Sequence, residues 1–208
     1  MILKRVMILV CILYVFVGGA INYFTNAEKI KNLIEFYKSY QNELLDYIKV
    51  SFEDLPDEYI EDPEHISKIF DLEYTYGFVY RDNIVVYERD MQTTEKYRNS
   101  TARELFNDYA QASGTSNAKN IRSILFKDSG TAYVQKTNQT GKEIISWRSI
   151  RKNDKDYVVG IAIPLNTVLE ISNYKKYMMT DILLYILNCF MIIVLSFIVC
   201  RKVKYIEK

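Results

Sequence analysis

The sequence predicts an α+β protein in which two transmembrane helices flank one domain with a long N-terminal helix and a five-stranded antiparallel sheet. Three observations predict this class: an uncharged apolar run near each end, a helical pattern without Gly or Pro after the first run, and five short strand patterns bounded by turn residues. Strands and helices that come in separate groups along the chain are typical of α+β domains.

The two apolar runs give the predicted transmembrane helices, 6–24 and 178–200, the second uncharged from Ile182 to Cys200. A helix needs about 20 such residues to cross the hydrocarbon core of a bilayer. Both runs are apolar on all sides, whereas a surface helix of a soluble domain has a polar face. The sequence therefore predicts two membrane spans, and burial in a soluble core is the alternative.

Basic residues at the outer ends of the spans predict the orientation. Segment 1–5 holds two Lys or Arg residues and segment 201–208 holds four. Positive flanks favour the cytoplasm, so both termini are expected there, with the domain at 25–177 outside. The alternative is signal-peptidase cleavage after Ala20, which would remove the first span. The apolar run continues to Phe24, which favours an anchor.

The composition narrows the class of protein further. The formal net charge is +1, with 27 basic and 26 acidic residues, so no nucleic-acid surface is indicated. The three cysteines, Cys11, Cys189 and Cys200, all lie in the predicted spans, so the outer domain can form no internal disulfide. Many bacterial outer domains do without disulfides. Abundant Lys, Ile, Asn and Tyr are typical of an AT-rich bacterial genome, so a bacterial plasma-membrane protein is expected.

The long N-terminal helix is predicted from Ala27 to Phe52, where Gly and Pro are absent. Its apolar residues recur at spacings of three and four between Ile30 and Ile48, which gives a wide apolar stripe. Two roles are open for this stripe. It packs on its own domain, or it forms a homodimer through the Ile30–Ile48 helix.

The acidic segment 53–64 is predicted to be a solvated loop, because it lacks the spacing and the central glycine of an EF-hand calcium loop. Asp62 and Pro63 are expected to cap and begin a short helix that ends at Phe70. His65 is the only histidine and has no second His or Cys nearby, so no metal site is predicted.

The rest of the domain alternates between strands and helices. Tyr76–Tyr80 and Ile84–Glu88 predict a hairpin around a tight turn. Thr101 and Glu104 form a capping box that begins a helix. The remaining elements are expected to be a short helix at 120–126, strands at 131–136, 143–150 and 157–163, and a helix from Leu165 to Tyr177. The helices are expected on one face of the sheet.

This arrangement resembles a single Cache domain, the extracytoplasmic PAS-like sensor module of bacterial membrane receptors. The resemblance covers 27–177 and rests on the span–helix–domain–span order, the YGFVYRDNIVVYE hairpin, the GTAY run at Gly130 and the closing DYVVGIAIP strand. Tyr157 stands where such domains often have Trp, and the second lobe of double-Cache receptors is lacking. The resemblance implies the binding of a small molecule, often a carboxylate or an amine, between the sheet and the helices that cross it.

Five residues have suitable chemistry for that ligand. They are Tyr87, Arg122, Tyr133, Trp147 and Arg148. A guanidinium can hold a carboxylate with two hydrogen bonds, and aromatic faces can enclose an ammonium group. Trp147 and Arg148 are neighbours on a predicted strand and should point to opposite faces, so only one of them can line a given pocket. Core packing of the aromatic residues and solvation of the arginines are the alternatives.

Catalysis is not predicted. The sequence contains no Gly-rich phosphate loop, nucleophile elbow, Cys–His pair or metal cluster, so no catalytic residue and no cofactor are expected. Only 201–208 follow the second span, which is too short for an output domain. The expected function is a sensor subunit that signals through a separate protein. A non-sensing scaffold of the bacterial envelope and a truncated receptor remnant are the alternatives.

Overall fold

The computed structural model describes residues 2–113, 129–137 and 141–206. The chain forms two compact units, which we call the helical unit (Met1–Asn32 and Ser172–Lys208) and the sheet unit (Leu33–Ile171). Helix α1 (Ile2–Glu53) begins in the first unit and ends in the second. The α+β class and the long N-terminal helix are confirmed.

The sheet unit contains five antiparallel strands in the order β2-β1-β5-β4-β3. The strands are β1 (Tyr76–Arg81), β2 (Ile84–Glu88), β3 (Ser129–Thr137), β4 (Gly141–Lys152) and β5 (Lys155–Pro164). The predicted five-stranded antiparallel sheet is confirmed. The last strand, β5, occupies the centre between β1 and β4, so strands from the beginning and the end of the domain are paired.

Two hairpins fix the register of the sheet through residues with left-handed backbone. Asp82 and Asn83 join β1 to β2 with φ of 46° and 70°, and Asn153 and Asp154 join β4 to β5 with φ of 53° and 57°. Asn and Asp adopt this conformation more readily than other residues with a side chain. Paired left-handed residues give the two-residue turn whose twist matches that of antiparallel strands.

The remaining helices are α2 (Pro63–Ile69), α3 (Met91–Tyr97), α4 (Ala102–Ser113), α5 (Leu165–Ile171) and α6 (Tyr174–Ile206). Asp62 caps α2 as predicted, because its carboxylate accepts the Glu64 amide at 3.2 Å. The capping box of α4 also forms, with Thr101 and Glu104 exchanging hydrogen bonds of 2.8 and 3.3 Å. Helix α3 was not predicted.

One helix prediction is wrong in its extent, and another lies outside the described residues. The helix expected from Leu165 to Tyr177 is broken, because Asn173 takes a left-handed conformation (φ 53°) and separates α5 from α6. The predicted helix at 120–126 and the turn residues 138–140 lie outside the described residues.

The prediction that helices cover one face of the sheet is wrong. On the first face, residues of α1 and α2 such as Leu45, Phe52 and Ile66 pack with Val79 and Val159. On the second face, residues of α3 and α4 pack with β1 and β4; they include Tyr97, Leu105, Phe78 and Trp147. Strand β5 is apolar in both alternating positions from 157 to 163, which is the pattern of a strand buried on both sides.

The helical unit pairs the first part of α1 with α6. Both helices are long and apolar enough to cross a membrane. Gly18 and Gly19 face the ring of Tyr185, and a Cβ atom on Gly18 would lie 2.8 Å from that ring. An ion pair joins Lys29 to Asp181 at 2.6 Å. The two glycines therefore allow the close approach of the two helices, as small residues do at helix interfaces in membranes.

Candidate ligand-binding site

Large and small residues alternate across the second face of the sheet. One row of paired residues runs from Phe78 on β1 through Gly160 on β5 and Trp147 on β4 to Gly130 on β3. A Cβ atom on Gly160 would overlap the Phe78 ring, and one on Gly130 would lie 2.7 Å from the Trp147 ring. The two aromatic rings therefore occupy the space above the two glycines.

The same face carries a buried polar cluster, which we define as Tyr76, Tyr80, Glu88, Arg89 and Glu143. Both glutamates are 0% exposed. The Tyr80 hydroxyl donates to Glu88 Oε2 and the Tyr76 hydroxyl donates to Glu143 Oε2, each at 2.6 Å. Arg89 Nη2 lies 3.6 Å from Glu143 Oε1, and its guanidinium carbon lies 4.2 Å from the centroid of the Tyr76 ring.

Strand register places the two glutamates on this face. Glu88 is the last residue of β2 and pairs with Phe78, while an irregularity between Val79 and Tyr80 shifts the register of the β1–β2 pair. Glu143 lies near the start of β4 and alternates in phase with Trp147. Both carboxylates therefore point to the side that α3 and α4 cover.

Electrostatics keep the Tyr76 phenol protonated. Burial raises the pKa of Tyr76 well above its ordinary value of 10.0, and the charge of Glu143 raises it further, while Arg89 lowers it in part. The phenol is therefore a hydrogen-bond donor to Glu143 over the physiological range. Within the described part of the chain, no hydrogen bond reaches Glu143 Oε1, although Arg89 lies near it.

Burying two carboxylates in an apolar sheet is costly, because each loses its hydration and regains only what nearby donors supply. Apolar residues at 88 and 143 would pack against the surrounding rings without that cost. The cluster therefore either orders the ends of β2 and β4 or binds a polar ligand. Tyrosines, carboxylates and a guanidinium can together hold an ammonium or carboxylate group.

Tyr87, one of the five predicted ligand residues, lies on the first face instead. It is 4% exposed, its ring stacks on Phe70 with centroids 5.6 Å apart, and its hydroxyl donates to the Arg89 carbonyl at 3.3 Å. Burial raises the pKa of Tyr87 above 10.0. These contacts are those of a core residue, which was the alternative to ligand binding.

Trp147 and Arg148 point to opposite faces, as their adjacency predicted. Trp147 is 2% exposed and lies among the rings of the second face. Arg148 lies on the first face, where its guanidinium donates to Asp46 at 2.9 Å and to Asn42 at 3.3 Å, both on α1. Arg148 therefore holds α1 against β4 through hydrogen bonds. Of the two residues, only Trp147 lies on the second face.

The other two predicted residues are only partly covered. The backbone of Tyr133 pairs with Ile144, and its side chain lies outside the described residues. Arg122 also lies outside them. Tyr87 on β2 and Arg148 on β4 have two strands between them, so their backbones are roughly 14 Å apart. The structure therefore does not bring Tyr87, Trp147 and Arg148 together.

The residues of the buried polar cluster were missed at the sequence level. A signal was present, because Glu143 alternates in phase with Ile145 and Trp147, which are apolar. Glu88 likewise closes the apolar run from Ile84. A charged residue in phase with core positions of a strand is unusual enough to mark a candidate site.

A second polar cluster lies at the other end of the sheet. Glu61 accepts hydrogen bonds from Lys155 at 2.7 Å and Tyr157 at 3.2 Å, and it pairs with Arg81. Burial by itself raises the pKa of Glu61, but the bonds from Lys155 and Arg81 outweigh it and hold the pKa at about 2. Burial, reinforced by Glu61, raises the pKa of Tyr157 to about 12. These hydrogen bonds and the ion pair hold the loop before α2 against β1 and β5.

An open groove of about 590 Å³ lies beside the two hairpin turns of the sheet, lined in part by Asp82, Arg151 and Asp156. The side chains around it are mostly polar, as at a hydrated surface. Within the described ranges, no group of three or more His, Cys, Asp or Glu side chains is placed to hold a metal ion.

Comparison with known proteins gives no match, either among protein-family models or among curated proteins.

Proposed function

We propose that the protein is a membrane-anchored sensor whose extracytoplasmic Cache-like domain binds a small molecule and passes its state to a separate signalling protein. The observation that carries the proposal is the buried polar cluster on the second face of the sheet. Two carboxylates without exposure to solvent, Glu88 and Glu143, are placed there among tyrosines. A ligand with an ammonium or a carboxylate group matches that chemistry.

In this proposal α1 and α6 are membrane spans of a bacterial plasma membrane, with the sheet unit outside the cell. The basic residues of 1–5 and 201–208 support the cytoplasmic placement of both ends. The apolar surfaces of the two helices support insertion, since the most apolar stretch of each helix is 0% buried within the protein. A ligand changes the signal only if it binds two packings of the protein with different affinity.

The strand order supports the resemblance to a PAS-like domain. The chain passes from the β1–β2 hairpin through α3 and α4 on the second face before it returns as β3. In the family that the chain resembles, the ligand lies between the sheet and helices that cross it, and here α3 and α4 pack on the second face. The buried polar cluster lies on that covered side.

The only tryptophan of the chain, Trp147, lies on the second face and provides the test. We expect its fluorescence in the detergent-solubilised full chain to change saturably with one class among amino acids, carboxylates, amines and nucleobases. Glu143→Gln should weaken an ammonium ligand at least about tenfold, roughly 1.4 kcal/mol, and strengthen a carboxylate ligand. Glu58→Gln, an exposed change in the loop before α2, is the matched control.

No fluorescence response to any of these classes would count against the sensor. A ligand affinity that neither Glu143→Gln nor Glu58→Gln changes would also count against a sensor site in the buried polar cluster. The absence of a response would favour the second candidate, a scaffold protein of the bacterial envelope, whereas an unchanged affinity would place the ligand away from the buried polar cluster. The observation that favours a scaffold is the filling of the second face by the rings of Phe78 and Trp147 above Gly160 and Gly130.

The proposal includes a homodimer through α1. Part of the apolar stripe predicted between Ile30 and Ile48 is not available for it. Ile34, Leu45 and Ile48 are buried within the sheet unit, so they belong to the domain core. A second stripe on the helix is exposed and consists of three aromatic residues and one valine. They are Phe36, Tyr40, Tyr47 and Val50. These positions follow alternating steps of four and three with Glu43 between them, as in a two-stranded coiled coil.

Tyr47 is 73% exposed and lies near the middle of that stripe, so we expect Tyr47→Glu to weaken dimerisation at least about tenfold. Like charges would then face each other across the helix pair. Light scattering of the detergent-solubilised chain over a range of concentrations measures the effect. Tyr74→Glu, at a tyrosine that is 53% exposed in the loop before β1, should leave the mass unchanged. A monomeric parent chain would exclude the dimer.

A further inference from the structure

Three sulfur-containing side chains line one gap between α1 and α6 in the helical unit. Met7 and Cys11 come from α1, and Cys200 comes from α6. The gap has a volume of about 270 Å³ and is otherwise lined by apolar side chains and Ser196. We propose that this gap binds a monovalent soft metal ion, Cu(I), through Cys200, Met7 and Cys11.

The helix periods place the donors together. Met7 and Cys11 are four residues apart and therefore lie on the same face of α1, as do Ser196 and Cys200 on α6. Cys200 Sγ lies 3.5 Å from Met7 Sδ, and one turn further along Cys11 Sγ lies 3.1 Å from Ser196 Oγ. The Ser196 hydroxyl thus orients the Cys11 thiol, as partners beyond the ligands do in metal sites.

The distance between the two sulfur atoms suits a single bridging ion. With metal–sulfur bonds of about 2.3 Å, an ion bound to both Cys200 Sγ and Met7 Sδ, 3.5 Å apart, has an S–metal–S angle of roughly 100°. Thiolate and thioether groups are soft ligands, which select Cu(I) over Mg²⁺, Ca²⁺ and other ions that prefer oxygen.

A monovalent ion needs only one thiolate for charge balance. The gap lies within the apolar part of the helix pair, where an uncompensated charge is expensive. When Cys200 loses its proton to solvent and its sulfur bonds to Cu(I), one negative and one positive charge cancel and a single proton is released. Met7 and Cys11 then donate as neutral groups. Zn²⁺ would be neutralised only if Cys11 and Cys200 both lost their protons.

The position of the gap favours reduced thiols. Met7 and Cys200 lie at the ends of the spans next to the basic flanks, which the proposed orientation places at the cytoplasmic side. Thiols in the cytoplasm are kept reduced. The metal site itself does not depend on that orientation or on a ligand of the sheet unit.

The chain offers a matched control, because Cys189 is on α6 but is not among the described residues that line the gap. The experiment titrates Cu(I) anaerobically into the detergent-solubilised full chain in competition with a chromophoric Cu(I) chelator. We expect one Cu(I) per chain, with release of one proton. Affinity should fall at least 100-fold in Cys200→Ser, about tenfold in Met7→Leu and Cys11→Ser, and not at all in Cys189→Ser.

Circular dichroism distinguishes lost binding from lost folding, since all four variants should keep the helix content of the parent chain. X-ray absorption at the copper edge should show sulfur ligands only. The site is disproved if the parent chain retains no Cu(I) against the chelator, since the sulfur contact is then packing alone. It is also disproved if Cys189→Ser loses as much affinity as Cys200→Ser. Neither result bears on the fluorescence response of Trp147, so the two proposals fail separately.

Discussion

Replacing Phe52 by alanine is expected to lower the free energy of unfolding by about 4 kcal/mol, the usual cost of removing a buried phenyl ring. Phe52 is 0% exposed at the end of α1, and its ring meets that of Tyr157 edge to face with centroids 5.5 Å apart. The change leaves a cavity between α1 and the first face of the sheet. Thermal unfolding followed by Trp147 fluorescence should show a melting temperature lower by about 10 °C.

Ser39→Ala is the control for Phe52→Ala, because Ser39 is exposed on the same helix and lies outside the stripe proposed for the homodimer. Its loss should stay within about 0.5 kcal/mol, as for most surface substitutions. If both variants lose similar stability, the assignment of α1 to the first face is wrong. If neither loses stability, Phe52 does not belong to the core of the sheet unit.

Gly160→Ala is expected to lower the free energy of unfolding by about 3 kcal/mol, near the upper end of the usual cost of overpacking a core. A Cβ atom at this position would overlap the Phe78 ring and lie 2.7 Å from the Ser146 carbonyl oxygen. The ring can rotate away, but the carbonyl belongs to the β4 backbone and cannot move without disturbing its pairing with β5. The melting temperature of the full chain measures the effect.

A double variant identifies the source of that strain. Gly160→Ala together with Phe78→Leu should lose at least about 1 kcal/mol less than the sum of the single losses, because the smaller side chain leaves room for the added methyl group. Additive losses would show that Phe78 does not fill the space above Gly160. That result would leave the space above Gly160 open to a ligand.

The elements with strong local chemistry could be predicted from the sequence. Asp62 before Pro63, and Thr101 with Glu104, satisfy the first amides of their helices with their own side chains, so a few residues decide where the helix begins. Asn153 and Asp154 decide the β4–β5 turn through their left-handed backbone. Alternation along β4 also placed Trp147 and Arg148 on opposite faces.

The parts that depend on distant partners were not predictable in the same way. Helix α3 follows an ordinary cap, Asp90, whose carboxylate accepts the Thr93 amide at 2.7 Å, but its seven residues carry little apolar periodicity. Two-sided burial of β5 follows from helices that are far away in the sequence. Helix α4 is one of them.

The residues of the candidate site also depend on distant partners, and they were even harder to predict from the sequence. Chemical type alone predicts Tyr87 and Arg148 as ligand residues, although each has a packing partner, Phe70 and Asp46 respectively. Glu143 was overlooked because acidic residues are usually solvated. The alternation of Glu143 with Ile145 and Trp147 marks it as a core position, but the partners that satisfy its carboxylate come from distant elements, which single-sequence patterns do not show.

The central position of β5 has a consequence for how the domain is made. Strand β1 pairs with β2 along one edge, but its other edge is paired only when β5 has been synthesised, since Phe78 also pairs with Gly160. Contacts between such distant segments require the closure of a long loop and slow the folding of a chain. During synthesis the edge of β1 that later pairs with β5 is therefore exposed for a time. An unpaired strand edge can bind other chains. Assistance by a chaperone would be needed most in that interval, before the C-terminal strand arrives.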